Sequence, residues 1–373
     1  MSKPIVYVGM SGGVDSSVSA LLLKEQGYKV VGVYMKNWSQ DLPGMKCPWA
    51  EDLADAKRVA VKLGIDFLVW DFEKEYREKV VEYMLREFQA GNTPNPDIMC
   101  NQEIKFKLFY KRAMEAGADF IATGHYARAI LGGSCRLFSS SISQELNGGG
   151  SPEPSPAYID LLRAADENKD QTYFLYRISE EALAHTIFPI GDMKKPEVKK
   201  LAEERGLHNA YKKESMGVCF VGEVGMKDFL KEYIDTQSGE IREIESERVL
   251  GYHEGAVFYT IGQRHGLYIS GGLPYYVVKK DIGRNIVYVS KNLNHEAIWT
   301  KELKLKDIFF RANSAELRGR QISVRLRHRA PLILATFDGE KLYFESEIKR
   351  PASGQSAVLY NDEICLGGGI IAD

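Results

Sequence analysis

Through its first third the chain alternates short apolar runs with longer stretches of helical period. Ile5, Val6, Tyr7 and Val8 form one apolar run, which predicts a strand. A Gly/Ser turn follows, and then Val18, Leu21 and Leu22 mark a helix closed by Gly27. The next apolar run covers 30–35. Over 51–63, Leu53, Ala56, Val59, Ala60 and Leu63 share one side of a helix that stops at Gly64. Strands at 65–70 and 119–123 and helices at 73–90 and 106–116 continue the alternation. Repeated strand–helix units predict a parallel, doubly wound α/β sheet. Ligands of such sheets bind beyond the carboxyl ends of the strands.

The second half is patterned differently. Residues 139–156, SSSISQELNGGGSPEPSP, cannot bury much and read as a surface loop or disordered insertion. Between 169 and 225 helix and loop mix. Strands are expected at 257–261, 275–280 and 286–289, and a period of two continues after Ala297. Asp338-Gly339 between 332–337 and 342–346 is a strong hairpin signal, and Asn361-Asp362 separates 355–360 from 363–367. These patterns predict a catalytic domain over 1–223, with part of 185–207 packing on its neighbour. A small central domain over 224–294 and a C-terminal all-β barrel over 295–373 follow.

Charge changes this picture little. A formal net charge of −2 gives no support for a generic nucleic-acid binder, so any RNA contact must rest on local basic clusters. The five cysteines, Cys47, Cys100, Cys135, Cys219 and Cys365, are odd in number and include no Cys-x-x-Cys pair. That argues against a disulfide framework, a zinc ribbon and an iron–sulfur cluster. No leader pattern and no membrane-length apolar run occur. A cytoplasmic chain with reduced thiols, away from membranes and monomeric, is expected.

Candidate chemistry begins at Ser11-Gly12-Gly13-Val14-Asp15-Ser16-Ser17, between the first strand and the first helix. Two glycines let the backbone approach an anion, and the N–H groups at the helix start point toward it. The serines add hydroxyl donors, and Asp15 is a candidate magnesium ligand. The string contains no lysine and fits neither the Walker nor the Gly-x-Gly-x-x-Gly pattern. The plain alternative is a strand–helix turn with a serine cap. As a whole it resembles the pyrophosphate loop of the ATP pyrophosphatases, which cleave ATP to AMP and pyrophosphate.

Two cysteine segments narrow the acceptor. Gly91 and NTPNPDIMCN at 92–101 form a loop stiffened by two prolines that opens a helix carrying Asp97 and Cys100. A spacing of three puts carboxylate and thiol on one side, where the carboxylate can move a proton. KESMGVCFVG at 213–222 sets Cys219 between Gly217 and Gly222. A lone cysteine is ordinarily a small buried apolar group, and that reading suffices for Cys47, Cys135 and Cys365. The polar, loop-like flanks of Cys100 and Cys219 argue otherwise.

Together these strings resemble the bacterial tRNA-specific 2-thiouridylase family. ATGHYAR at 122–128, KDQTYFL at 169–175, FPIG at 188–191, GQRHGL at 262–267, GQSAVLY at 354–360 and GGGII at 367–371 carry the likeness over most of the chain. The insertion at 139–156 is the clearest departure. The resemblance implies an adenine nucleotide alpha hydrolase-like sheet and an ATP- and Mg2+-dependent sulfurtransferase. The nucleotide would be held by Gly9, Met10, Ser11, Gly12, Gly13, Val14, Asp15, Ser16, Met35 and Gly124. ATP would adenylate C2 oxygen of a wobble-position uridine. Cys219 would carry a persulfide from a sulfur-relay protein or cysteine desulfurase, Cys100 would release its sulfur, and Asp97 would assist proton transfer. Lys212 and Lys213 are candidates for lowering a thiol pKa. The two sulfurs must then meet in some state, with Cα atoms within roughly 7 Å. Asn95, Pro96, Asp97, His125, Lys169, Asp170, Gln171, Arg327, His328 and Gln355 would contact tRNA.

Within QISVRLRHR at 321–329, strand alternation puts Arg325, Arg327 and Arg329 on one face, with Arg318 and Arg320 just before. A row of arginines suits phosphates. Lys194, Lys195, Lys199 and Lys200 form a second basic cluster, which also reads as the solvated face of a helix. Two other functions stay open: an amidating synthetase with the same nucleotide loop, and a non-catalytic RNA-binding protein on the same scaffold.

Overall fold

The computed structural model describes residues 3–41, 47–131, 159–213, 225–269, 274–311 and 314–372. Strands β1 (Ile5–Gly9), β2 (Lys29–Lys36), β3 (Asp66–Asp71), β4 (Phe120–Thr123) and β7 (Thr186–Ile187) form a parallel sheet in the order β3-β2-β1-β4-β7. Its strands alternate inward on both faces. Tyr7, Val31, Val33 and Trp70 pack against helices over 73–89 and 96–115. Val6, Val8 and Val30 pack against α1 (Val14–Glu25), α2 (Trp49–Leu63) and the helix Lys195–Glu204. That last helix therefore packs on the parallel sheet, within the span 1–223. The strand order reverses between β1 and β4. The crevice opened there receives the 11–17 loop and Gly124.

The helix over 96–115 is longer than the predicted 106–116. Asn95 caps it, its Oδ1 accepting from the N–H groups of Asp97 (3.1 Å) and Ile98 (3.4 Å), with Pro96 in the first turn. From Cys100 to Phe109 it runs as a wide π-helix.

In the middle of the chain β8 (Gly239–Glu243), β9 (Val249–His253), β10 (Tyr276–Asp281) and β11 (Ile286–Ser290) form a sheet in the order β10-β11-β8-β9. The predicted strand at 257–261 is instead a single 3-10 turn, Ala256–Phe258, whose Val257 and Tyr259 fill apolar cores. Its apolar run reflects burial and not strand period. The charged sequence of β8, with Ile241 alone buried among its five residues, concealed a real strand.

β12 (Trp299–Phe310), β13 (Arg320–Arg325), β14 (Ile333–Phe337), β15 (Lys341–Lys349), β16 (Ser356–Asn361) and β17 (Ile364–Ile371) form an antiparallel barrel closed by β17 on β12. The Asp338-Gly339 hairpin is present, joining β14 to β15. A hairpin of the first domain, β5 (Arg128–Leu131) and β6 (Ile159–Leu162), continues the sheet at the Ile364 end of β17. The 139–156 insertion lies outside the described residues.

A buried polar seam joins barrel and catalytic domain. The Asp170 carboxylate accepts from the Thr172 hydroxyl (2.9 Å) and from Arg325 (2.7 Å), and both charged side chains are buried. Arg163 Nε stands 3.8 Å away. The Tyr173 hydroxyl donates to the Ser356 carbonyl at 3.0 Å, and buried Arg311 donates to the carbonyls of Leu175 (3.2 Å) and Ile178 (3.0 Å). Arg325 is thus not part of an exposed arginine row. β13 ends at Arg325, and its side chain turns inward to a carboxylate invisible from strand alternation.

Removing one partner of such a pair strands the other in low dielectric, at about 3–5 kcal/mol. Asp170→Ala should lower the unfolding free energy in urea by about that amount, and Asp170→Leu with Arg325→Met should recover most of it. A single-variant loss no larger than a surface pair's, under about 1 kcal/mol, would contradict the seam's role.

Candidate active site

The 11–17 loop is built around its own serines. The Ser11 N–H donates to Ser16 Oγ at 3.2 Å, and the Ser17 hydroxyl donates to the Gly13 carbonyl at 2.9 Å. Gly13 caps α1 without a side-chain cap, so first-turn N–H groups face the crevice. Gly12 has φ of 77°, and a Cβ there would fall 2.4 Å from the Asp52 carbonyl oxygen. A Cβ on Gly124 would sit 2.5 Å from the Ser16 nitrogen. The cradle therefore exists only because both positions lack side chains, and it fits a phosphate chain. Met10 and Val14 are buried beneath it, and Met35 reaches toward Gly9 from the end of β2.

Asp15 is already engaged. Buried Lys195 donates to both its carboxylate oxygens at 2.7 Å, and the Tyr126 hydroxyl donates at 2.9 Å. Lys195 thus leaves the solvated cluster in which sequence placed it; Lys194, Lys199 and Lys200 remain exposed. Among the described residues no group of three or more His, Cys, Asp or Glu could hold a metal. A magnesium ion at this site would be held largely by the nucleotide's phosphates and water, the usual mode for that ion.

Cys100 is buried at the head of the π-helix. Asp97 lies one turn before it and is half-buried. Burial raises its carboxyl pKa, and the nearby Lys105 charge opposes that rise. The Lys105 ammonium is 3.4 Å from His125 Nε2, and His125 Nδ1 is 2.8 Å from the Thr123 hydroxyl. Burial first, and Lys105 second, hold the His125 pKa well below its ordinary value. The imidazole is therefore neutral and accepts from Lys105 at Nε2. Its proton sits on Nδ1, facing Thr123. Lys105 was not singled out from the sequence; its place in IKF after the cysteine was the available signal.

Cys219 lies outside the described residues, as does Cys135. Lys212, a candidate activator of a thiol, is committed to Asp52 (2.7 Å) and Asp55 (2.6 Å). Cys47 and Cys365 are buried, and burial pushes the Cys365 thiol up to about 11, which makes it inert.

The predicted tRNA residues divide. Asn95, Pro96 and Asp97 cap and open the helix that carries Cys100, and His125 meets Lys105 of that helix. Gln355 donates to the Thr93 carbonyl at 2.7 Å, and the Thr93 N–H donates to the Ser353 carbonyl at 2.7 Å, so the barrel clamps the loop before Asn95. Gln171 Oε1 accepts from the Tyr126 N–H at 2.8 Å, beside His125. His328 stacks on Phe174 with ring centres 4.5 Å apart; burial, then Arg329, lowers its pKa to about 4. Lys169 is half-buried at the same seam and Arg327 is exposed. Asp170, spent on Arg325, presents no carboxylate to a ligand.

A glycine–serine loop at the switch point of a parallel sheet, with a buried cysteine one helical turn after an aspartate on a neighbouring helix, is the arrangement of a nucleotide-dependent enzyme. Comparison with known proteins agrees. The chain matches the tRNA methyl transferase HUP domain over residues 4–223, the tRNA methyl transferase PRC-barrel domain over 227–291 and the aminomethyltransferase beta-barrel domain over 300–371. It is 44% identical over 372 residues to the tRNA-specific 2-thiouridylase MnmA of Listeria monocytogenes serotype 4a (strain HCC23), covering 98% of this chain and 94% of that one. The protein of that name from Staphylococcus saprophyticus is 43% identical over 375 residues, covering 99% and 95%. That of Idiomarina loihiensis is 44% identical over 380 residues, covering 98% and 95%. The chain belongs to the tRNA-specific 2-thiouridylase family.

The raised Asp97 pKa has a consequence for stability. The folded state binds the Asp97 proton more tightly than the unfolded chain does, whose carboxyl titrates near about 3.9. Stability therefore falls as pH rises from there through the raised folded value, and the deficit is complete above it. Asp97→Asn should melt higher than wild type at neutral pH, with the gap narrowing as pH falls into the carboxylate range. Equal or lower melting temperatures at neutral pH would show that burial does not govern this group.

Proposed function

We infer that this chain is an ATP-dependent tRNA sulfurtransferase that converts a wobble-position uridine to 2-thiouridine. One observation supports the reading above the others. Gly124 abuts the phosphate cradle, and the next residue, His125, meets Lys105 of the helix that carries Asp97 and Cys100, so the elements assigned to activation and to sulfur transfer adjoin.

The chemistry follows from the substrate. A uridine C2 carbonyl is a weak electrophile with a poor leaving group. Attack of its oxygen on the α-phosphorus of ATP expels pyrophosphate and leaves the oxygen adenylated. The first-turn N–H groups of α1 hold the phosphates, and bound Mg2+ supplies charge neutralisation there. Cys219 carries a persulfide received from a sulfur-relay protein or cysteine desulfurase. Its terminal sulfur forms the C2–S bond as the C2–O bond breaks and AMP departs. Cys100 thiolate then attacks the Cys219 sulfur, the S–S bond to the nucleoside breaks, and a Cys100–Cys219 disulfide remains for an external thiol to reduce. Asp97 moves the proton at the Cys100 sulfur.

The base must leave its stack to reach this pocket. Asn95, Pro96, Asp97, His125, Lys169, Gln171, His328 and Gln355 surround its path, and exposed Arg327 and Arg329 suit backbone phosphates. No helix among the described residues is long and apolar enough to cross a membrane; a cytoplasmic monomer is our working form.

The test is mass spectrometry of nucleosides from unmodified tRNA incubated with the protein, ATP and a persulfide donor. We expect 2-thiouridine and AMP from wild type. Cys100→Ser and Cys219→Ser should each reduce 2-thiouridine by at least about 10³-fold, as loss of an essential nucleophile does, with tRNA affinity nearly unchanged. Normal product from either variant would remove the role given to that cysteine. AMP release with amide formation and no thiolation would point to a synthetase.

A further inference from the structure

Lys105 is a half-buried cation that the mechanism above leaves unused. Burial of an ammonium is costly without an anionic partner. Among the described residues, no carboxylate lies within ion-pair distance of it. The neighbouring acid on its own helix, Glu103, is spent on Lys107 (2.9 Å) and Lys79 (3.6 Å). Among the described residues its hydrogen-bond partner is the neutral His125 ring, which uses a single N–H of three. Asp97 contributes attraction only at longer range.

Its position is between the two halves of the crevice. His125 follows Gly124, which touches the Ser16 backbone of the phosphate cradle. On the other side Lys105 lies five residues after Cys100 on the π-helix, whose wide turn returns such a pair to one face. Phe106 and Phe188, with ring centres 6.1 Å apart, close the apolar wall beside His125. An ammonium with spare donors thus stands where an adenylated base would span cradle and thiol.

We propose that Lys105 is a further catalytic residue of this pocket, its ammonium binding the phosphoryl group that leaves uridine C2 as AMP. This rests on the functional reading above. When sulfur forms its bond to C2, the C2–O bond breaks and its electron pair departs on the oxygen joined to phosphorus. The monoanionic phosphodiester becomes dianionic AMP, and an N–H of Lys105 hydrogen-bonds the oxygen that gains the charge. No proton transfer from Lys105 is required. Donors aimed at developing charge in a water-poor site act most strongly there, and loss of one costs about 10²–10³ in rate.

The experiment uses the full chain, unmodified tRNA, α-phosphate-labelled ATP and a persulfide donor. It follows labelled AMP attached to tRNA alongside 2-thiouridine in a single turnover. Lys105→Met should slow thiolation by about 10²-fold, at wild-type tRNA affinity, while AMP–tRNA accumulates. Lys105→Arg should recover part of the rate. Lys105→Gln, which keeps a polar side chain, should behave like Lys105→Met and serves if the latter does not fold. Thiolation at the wild-type rate in Lys105→Met or Lys105→Gln would overturn the proposal. So would a loss of AMP–tRNA in step with thiolation, which would make Lys105 a positioning residue for activation. Wild-type protein forming neither product would instead overturn the functional reading, and the proposal with it.

Discussion

The Asp170 carboxylate, which has no exposed surface, is compensated from two domains: Thr172 beside it and Arg325 from the barrel. Because an ionised group so placed cannot exchange its partners for water, the turn around 163–172 and strand β13 are locked in one relation. The lock propagates. Gln171, the next residue, holds the Tyr126 backbone through its side chain and its own N–H. The Tyr126 hydroxyl reaches Asp15 in the phosphate cradle, and His125 before it faces Lys105. A barrel distant in sequence thereby sets the geometry of a nucleotide loop at the start of the chain.

A second clamp acts on the thiol side. The loop before Asn95 donates a hydrogen bond to the Ser353 carbonyl and accepts one from Gln355 of the barrel, and the middle domain reaches it through Lys280 to the Gly91 carbonyl at 2.7 Å. Its prolines reduce the conformations available, and these contacts select among those that remain. The helix that begins there carries Asp97, Cys100 and Lys105 as a unit. Both sides of the crevice are thus braced by the barrel, and the thiol side by the middle domain as well.

Electrostatics within the pocket follow from burial more than from net charge. Burial keeps His125 neutral and raises the Asp97 pKa, and the Lys105 charge acts on both. An overall charge of −2 gave no hint of this, because the field that matters is local. The inward turn of Arg325 and Lys195 shows the same principle: each buried cation serves a carboxylate, fully buried Asp170 or half-buried Asp15, and neither is part of a general basic surface.

By itself the sequence determined the strand–helix alternation, the glycine–serine cradle, the Asp97–Cys100 spacing and the closing barrel. Each depends on local period, backbone freedom or short-range geometry, which neighbouring residues specify. It misread 257–261, where apolar character came from burial, and missed β8, where charges masked the period. Only the tertiary structure decided that Arg325 meets Asp170, that Lys195 meets Asp15, and that Lys105 faces His125. These partners are separated by 155, 180 and 20 positions. Such pairings arise when packing brings charges together and excludes water, and no local pattern records which partner will be there.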